Sequence, residues 1–124
     1  MAAKNRAQLI RRYFAAYQAN ERDVAEMMLT DDFTFTSPYD DAIDRATYFA
    51  RCWPGSPAFK SITIERICED ADAAFVLYRC ETVDGKTFRN TELHAFRDDR
   101  LRSVEVYFGA AYRGGVFIPQ NQSS

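Results

Sequence analysis

This 124-residue chain has three cysteines, one histidine and no excess of basic charge, and each of these lacks excludes something. Cys52, Cys68 and Cys80 form an odd set with long separations, which suits neither a disulfide framework nor a paired-cysteine zinc site. They are expected to be reduced, mostly buried thiols of a cytoplasmic protein. Sixteen basic residues face 18 acidic ones, for a formal charge of −2 spread along the chain, so no basic stripe is available for a phosphate backbone and no nucleic-acid partner is expected. No apolar run approaches the roughly 20 residues of a membrane span. The first residues carry Lys4, Arg6, Arg11 and Arg12 in an amphipathic pattern, so neither an export signal nor a membrane partner is expected. Gly-x-Ser-x-Gly elbows, phosphate-cradling loops and dinucleotide fingerprints are missing, and no cofactor is expected.

What is present is apolar and aromatic: 47% hydrophobic and 15% aromatic residues, enough for one well-buried core in a chain of about one domain. In residues 4–19, Leu9, Ile10, Tyr13, Phe14 and Tyr17 recur at helical spacing with Arg11, Arg12 and Gln18 between them. Asn20, with Asp23 three residues on, reads as the cap of a second helix carrying Val24, Met27 and Met28. The period then falls to two at Phe33, Phe35 and Ser37, ending at Pro38. Asp44 is a plausible cap for a short third helix through Tyr48, Phe49 and Cys52, closed by Pro54 and Pro57.

The remainder reads as a four-strand meander over residues 60–69, 74–83, 86–97 and 100–109, with Asp84-Gly85 as its clearest hairpin signal. Residues 1–112 should form one α+β domain, a curved antiparallel sheet wrapped around three N-terminal helices, and residues 113–124 a loose tail. If Asp98-Asp99 is a two-residue turn, Leu93 lies opposite Val104 and Thr91 opposite Val106. Thr91, Leu93, Ala95, Val104, Val106 and Phe108 then face inward. On the preceding strand the inward set is either Phe75, Leu77, Arg79 and Glu81 or Val76, Tyr78 and Cys80.

The order helix, helix, Asp31-Asp32-Phe33 strand ending at Ser37-Pro38, short helix, meander and closing Tyr107-Phe108-Gly109 resembles the cystatin-like, nuclear transport factor 2-like superfamily over roughly residues 5–110, especially its SnoaL-like polyketide-cyclase and ketosteroid-isomerase branch. The resemblance implies a cone holding a small apolar molecule, and a homodimer through an outer sheet face showing Asn90, Glu92, His94, Glu105 and Tyr107. It also implies a general-base aspartate where this chain has Ser37, and a second pocket acid where it has Leu93. Limonene epoxide hydrolases are similar at Arg79-Cys80-Glu81, while their third acid falls on Val106.

The candidate catalytic residues are therefore Arg79 and Glu81, which a strand period of two places on one side, and Asp40, on a loop near the expected mouth. An isomerase, cyclase or epoxide-hydrolase activity follows for an enzyme; a ligand-binding module or dimeric scaffold follows without one. Tyr13, Tyr17, Tyr39 and Trp53 could present hydroxyl and indole donors, with Phe35, Ser37, Leu77, Leu93, Val106 and Phe108 completing the lining. Loop aspartates otherwise favour turns, aromatic stripes are usually core, and charged strand pairs are often structural. Glu92, His94 and Glu105 share one expected face and could hold a divalent ion. Their spacing matches no recognised metal motif, and a polar dimer interface accounts for the same residues.

Overall fold

A computed structural model describes residues 5–53 and 59–119. Three helices come first, α1 (Arg6–Gln18), α2 (Arg22–Met27) and, after two strands, α3 (Arg45–Cys52). Asn5 caps α1 by accepting from the Gln8 backbone N–H at 3.0 Å, and Asp44 caps α3 by accepting from that of Thr47 at 2.9 Å. The second cap differs from expectation. Glu21 precedes α2 without a side-chain bond, while Asn20 takes a positive φ of 56° and accepts the Trp53 indole N–H at 2.7 Å. Asparagine tolerates the left-handed region well enough to turn the chain there.

Seven strands form one sheet: β1 (Leu29–Ser37), β2 (Asp40–Asp44), β3 (Phe59–Asp70), β4 (Ala73–Thr82), β5 (Lys86–Arg97), β6 (Arg100–Arg113) and β7 (Val116–Ile118). Their order is β2-β1-β6-β5-β4-β3, with β7 also on β6. All pairings are antiparallel except β1 with β6, which is parallel. Two segments expected to be irregular are strands. Residues 40–44 return along β1, and Val116–Ile118 folds back on β6 through a turn at Gly114 and Gly115, both at positive φ. The expected loose tail is thus paired through residue 118.

The sheet curves without closing around α1 and α3. Ile10, Tyr13 and Phe14 of α1 and Tyr48 and Phe49 of α3 are buried against Phe33, Val76, Tyr78, Phe96, Leu101 and Val104. Among the described residues no helix is long and apolar enough to cross a membrane.

Register within the sheet decides everything about the site. Near the Asp98-Asp99 turn, Phe96 lies opposite Leu101, but one step on Ala95 lies opposite Ser103, so Arg102 is an extra residue in β6. This bulge shifts the pairing by one: Glu92 faces Val106 and His94 faces Val104. A one-residue slip carries every side chain of a strand to the other face. Val104, Val106 and Phe108 keep their expected inward direction, whereas Thr91, Leu93 and Ala95 turn outward and Asn90, Glu92 and His94 turn in. A second irregularity lies between the Phe88–Ala111 and Asn90–Phe108 pairs. There a side chain on Gly109 would meet the Arg89 carbonyl oxygen at 2.4 Å, so only glycine lets the two backbones approach.

Candidate functional site

The concave face and the helices enclose a cavity of about 220 Å³. Tyr13, Phe14 and Tyr17 line it from α1, where spacing of one turn keeps them on one face, and Tyr48 and Cys52 line it from α3 for the same reason. The strands contribute Phe35 from β1, Phe59 and Ile62 from β3 on either side of a register shift, and alternate residues elsewhere: Tyr78 and Cys80 from β4, Phe88, Asn90 and Glu92 from β5, and Val104, Val106 and Phe108 from β6. Among the described lining residues Glu92 alone carries a formal charge.

Glu92 is held from two sides. Tyr78 donates its hydroxyl to Oε2 at 2.6 Å, and Asn90 Nδ2 donates to the Tyr78 oxygen at 3.1 Å. His94 Nε2 lies 2.8 Å from Oε1. As both carboxylate oxygens accept, the imidazole proton belongs on Nε2. His94 is wholly buried, stacked on Phe14 with centroids 6.0 Å apart and edge-on to Tyr13, and its Nδ1 has no partner. The result is a carboxylate fixed in direction by two donors, in a setting whose low polarity strengthens each bond.

The helices add a phenol pair, Tyr13 of α1 and Tyr48 of α3, hydroxyl bonded to hydroxyl. Two O–H groups share one bond, so one proton is left to donate to an oxygen in the cavity. Burial holds both phenols well above the ordinary tyrosine range, and the charge of Glu92 adds to that shift. Tyr78 is raised by burial and then by Glu92; burial with the nearby Cys52 and Glu92 pushes Tyr17 up to about 12. Burial followed by Glu92 pushes the Cys80 thiol up to about 12, and burial followed by Asp40 pushes Cys52 up to about 11. These phenols and thiols are neutral donors near pH 7 rather than nucleophiles.

Asp40 is buried but stands outside the cavity lining. Arg51 pairs with it at 2.9 Å, the Ser37 hydroxyl donates to it at 3.3 Å, and Cys52 Sγ lies 3.9 Å away. Its carboxylate therefore ties the β1–β2 turn to the end of α3. That placement gives Asp40 and Ser37 a structural task.

Several expected site residues lie elsewhere. Arg79 and Glu81 alternate with the inward Tyr78 and Cys80, so they project from the convex face, where Glu81 pairs with Lys60 at 3.7 Å. Leu77 and Leu93 lie on that face as well. Trp53 gives its indole proton to Asn20 and packs edge-on against Tyr17, just behind the lining. Tyr39 is exposed and edge-on to Phe108, 5.8 Å between centroids. Tyr13, Tyr17, Phe35, Val106 and Phe108 are in the lining as expected. The trio of Glu92, His94 and Glu105 is divided, because Glu105 points outward and accepts from Tyr107 at 2.6 Å. Among the described residues no three His, Cys, Asp or Glu side chains converge as metal ligands.

The polar floor escaped sequence reasoning because the bulge is silent in sequence. One signal was legible: Phe88, Asn90, Glu92, His94 and Phe96 alternate strictly, with a buried phenylalanine at each end.

Comparison with known proteins agrees with the fold. A protein of unknown function of the nuclear transport factor 2-like type from Cytophaga hutchinsonii superposes with a TM-score of 0.71 at 18% identity, covering 87% of this chain and 93% of its own. A candidate ketosteroid isomerase from Kribbella flavida gives 0.70 at 22% identity, covering 86% and 78%. A candidate SnoaL-like polyketide cyclase from Jannaschia sp. CCS1 gives 0.66 at 15% identity, covering 82% and 83%. These likenesses carry the fold alone. No curated protein matches in sequence. The family model of the SnoaL-like domain matches residues 10–104, so the chain belongs to the SnoaL-like domain family.

Proposed function

We propose that this chain is a cofactor-independent enzyme in which Glu92 acts as a general base on a small, apolar carbonyl compound. One observation carries the reading: the sole charged residue of the described cavity lining is a carboxylate oriented by Tyr78 and His94. Glu92 would take a proton from the carbon next to the carbonyl. The electron pair then moves onto the carbonyl oxygen, where the spare proton of the Tyr13–Tyr48 pair supports the negative charge. Return of the proton to another carbon gives an isomer; attack of the carbanion on a second carbonyl within the same molecule moves that carbonyl's π electrons onto its oxygen, which takes the proton back from Glu92 to give a cyclised alcohol. The candidate isomerase and cyclase among the related structures favour this chemistry over epoxide opening, and the outward Arg79 and Glu81 supply no water-holding pair.

The test is deuterium uptake from D2O into a panel of cyclic and aryl ketones, followed by NMR. Wild-type protein should accelerate exchange, and Glu92→Gln, close in shape but not a base, should lower the rate by about 10²-fold or more. Unchanged exchange in Glu92→Gln would remove the base. For partners, a homodimer is proposed through the convex face, where Phe75 and Tyr107 are exposed beside Leu77 and Leu93. Sedimentation equilibrium checks it, and a monomer at all concentrations overturns it.

A further inference from the structure

The sign of the cavity's charge restricts what it can hold beyond a neutral carbonyl compound. Glu92 is the single formal charge of the described lining, and no lysine or arginine joins it there. Nine of the sixteen described lining residues are aromatic, and the faces of aromatic rings carry negative potential. A carboxylate has about four acceptor positions, of which Tyr78 and His94 take two. Two are left for a donor inside the cavity. An anion would meet the negative carboxylate and ring faces with no cation among the described lining residues to offset them; Lys86, on the same face of β5, stands outside that lining with its Nζ 5.8 Å from the centroid of the Phe88 ring. A cation would meet a charge partner and several ring faces at once.

The geometry points to a second ligand class: a small lipophilic ammonium ion, its N–H donating to Glu92 and its alkyl or aryl part lying against the aromatic wall. Burial first, and the charge of Glu92 after it, raise the surrounding tyrosines and the Cys80 thiol, in keeping with a cavity of negative sign. This inference shares the inward carboxylate with the proposed reaction but not its role as a base. A bound ammonium ion would occupy Glu92 and block the reaction.

Three ligands of nearly one shape test it by calorimetric titration of the whole chain: N,N-dimethylbenzylammonium, its carbon isostere isobutylbenzene, and phenylacetate. The ammonium ion should bind about tenfold or more tighter than the hydrocarbon, and phenylacetate should not bind. In Glu92→Gln the cation should lose that advantage. Equal binding of cation and hydrocarbon by the wild type, tighter binding of phenylacetate, or no binding of the cation overturns the inference. So does a preference for the cation that survives in folded Glu92→Gln. The wild-type series decides even where the variant does not fold. Cation preference without ketone exchange would remove the base and keep the receptor; exchange without preference would do the reverse.

Discussion

The two faces of β4 and β5 carry similar residues to opposite ends. On the convex side Glu81 reaches Lys60 at 3.7 Å and Arg89 reaches Glu65 at 2.7 Å, all with partly exposed side chains. On the concave side Glu92 is held by Tyr78 and His94 among aromatic rings. Water screens the first set, so these pairs contribute little to stability. Around Glu92 the polarity is low, its bonds are stronger, and any unpaired group costs more. A displacement of one residue separates a solvated surface from an enclosed cavity, and here the Arg102 bulge makes that displacement.

Substitutions can break this contrast, and the largest effect should come from His94→Ala. It leaves both a void and a carboxylate short of one donor in a buried network, and should destabilise the chain by roughly 3 kcal/mol or more in urea unfolding. A loss under 1 kcal/mol would place His94 on the surface.

High pH should act next, and chiefly through the concave side. Cys80 rises from 9.0 to about 12 and Tyr17 from 10.0 to about 12 on folding. A raised pKa means that the unfolded chain loses its proton first. The stability these groups contribute is therefore complete below pH 9 and drains away from pH 9 to 12, by a few kcal/mol over that range. Denaturant midpoints that are flat from pH 8 to 11 would contradict burial of these groups.

Gly109→Ala probes the backbone that fixes the register. Its new carbon would press on the Arg89 carbonyl, and roughly 1–3 kcal/mol should be lost as the two strands part. No loss would mean that the strands lie farther apart.

The smallest effects belong to the convex charges. Arg79→Ala and Glu81→Ala should each change stability by less than about 1 kcal/mol and leave ketone exchange intact. A loss of exchange in either would return the chemistry to that face.

Sequence alone revealed the fold because its signals are local. The helical spacing of Tyr13, Phe14 and Tyr17, the Asp44 cap and the Asp84-Gly85 hairpin each depend on a few neighbouring residues. The parallel pairing of β1 with β6 depends on distant segments and left no such mark. The site was half legible for the same reason. Tyr13 and Tyr17 lie on a helix whose apolar stripe names its buried side, whereas β4 has useful residues on both faces and β5 has its inward side chains chosen by Arg102, eight residues beyond His94. A bulge there carries no glycine or proline to announce it.

The most direct measurement is the magnetic resonance of His94, the only histidine in the chain and so the only imidazole to assign. Burial on Phe14 and Tyr13 should give nuclear Overhauser contacts from its ring to both aromatic rings, and its Nε2 proton, bonded to Glu92, should be visible and slow to exchange with solvent. An imidazole with no aromatic contacts and a fast-exchanging proton would put His94 and Glu92 on the outer face, and the cavity would lose the base proposed for it.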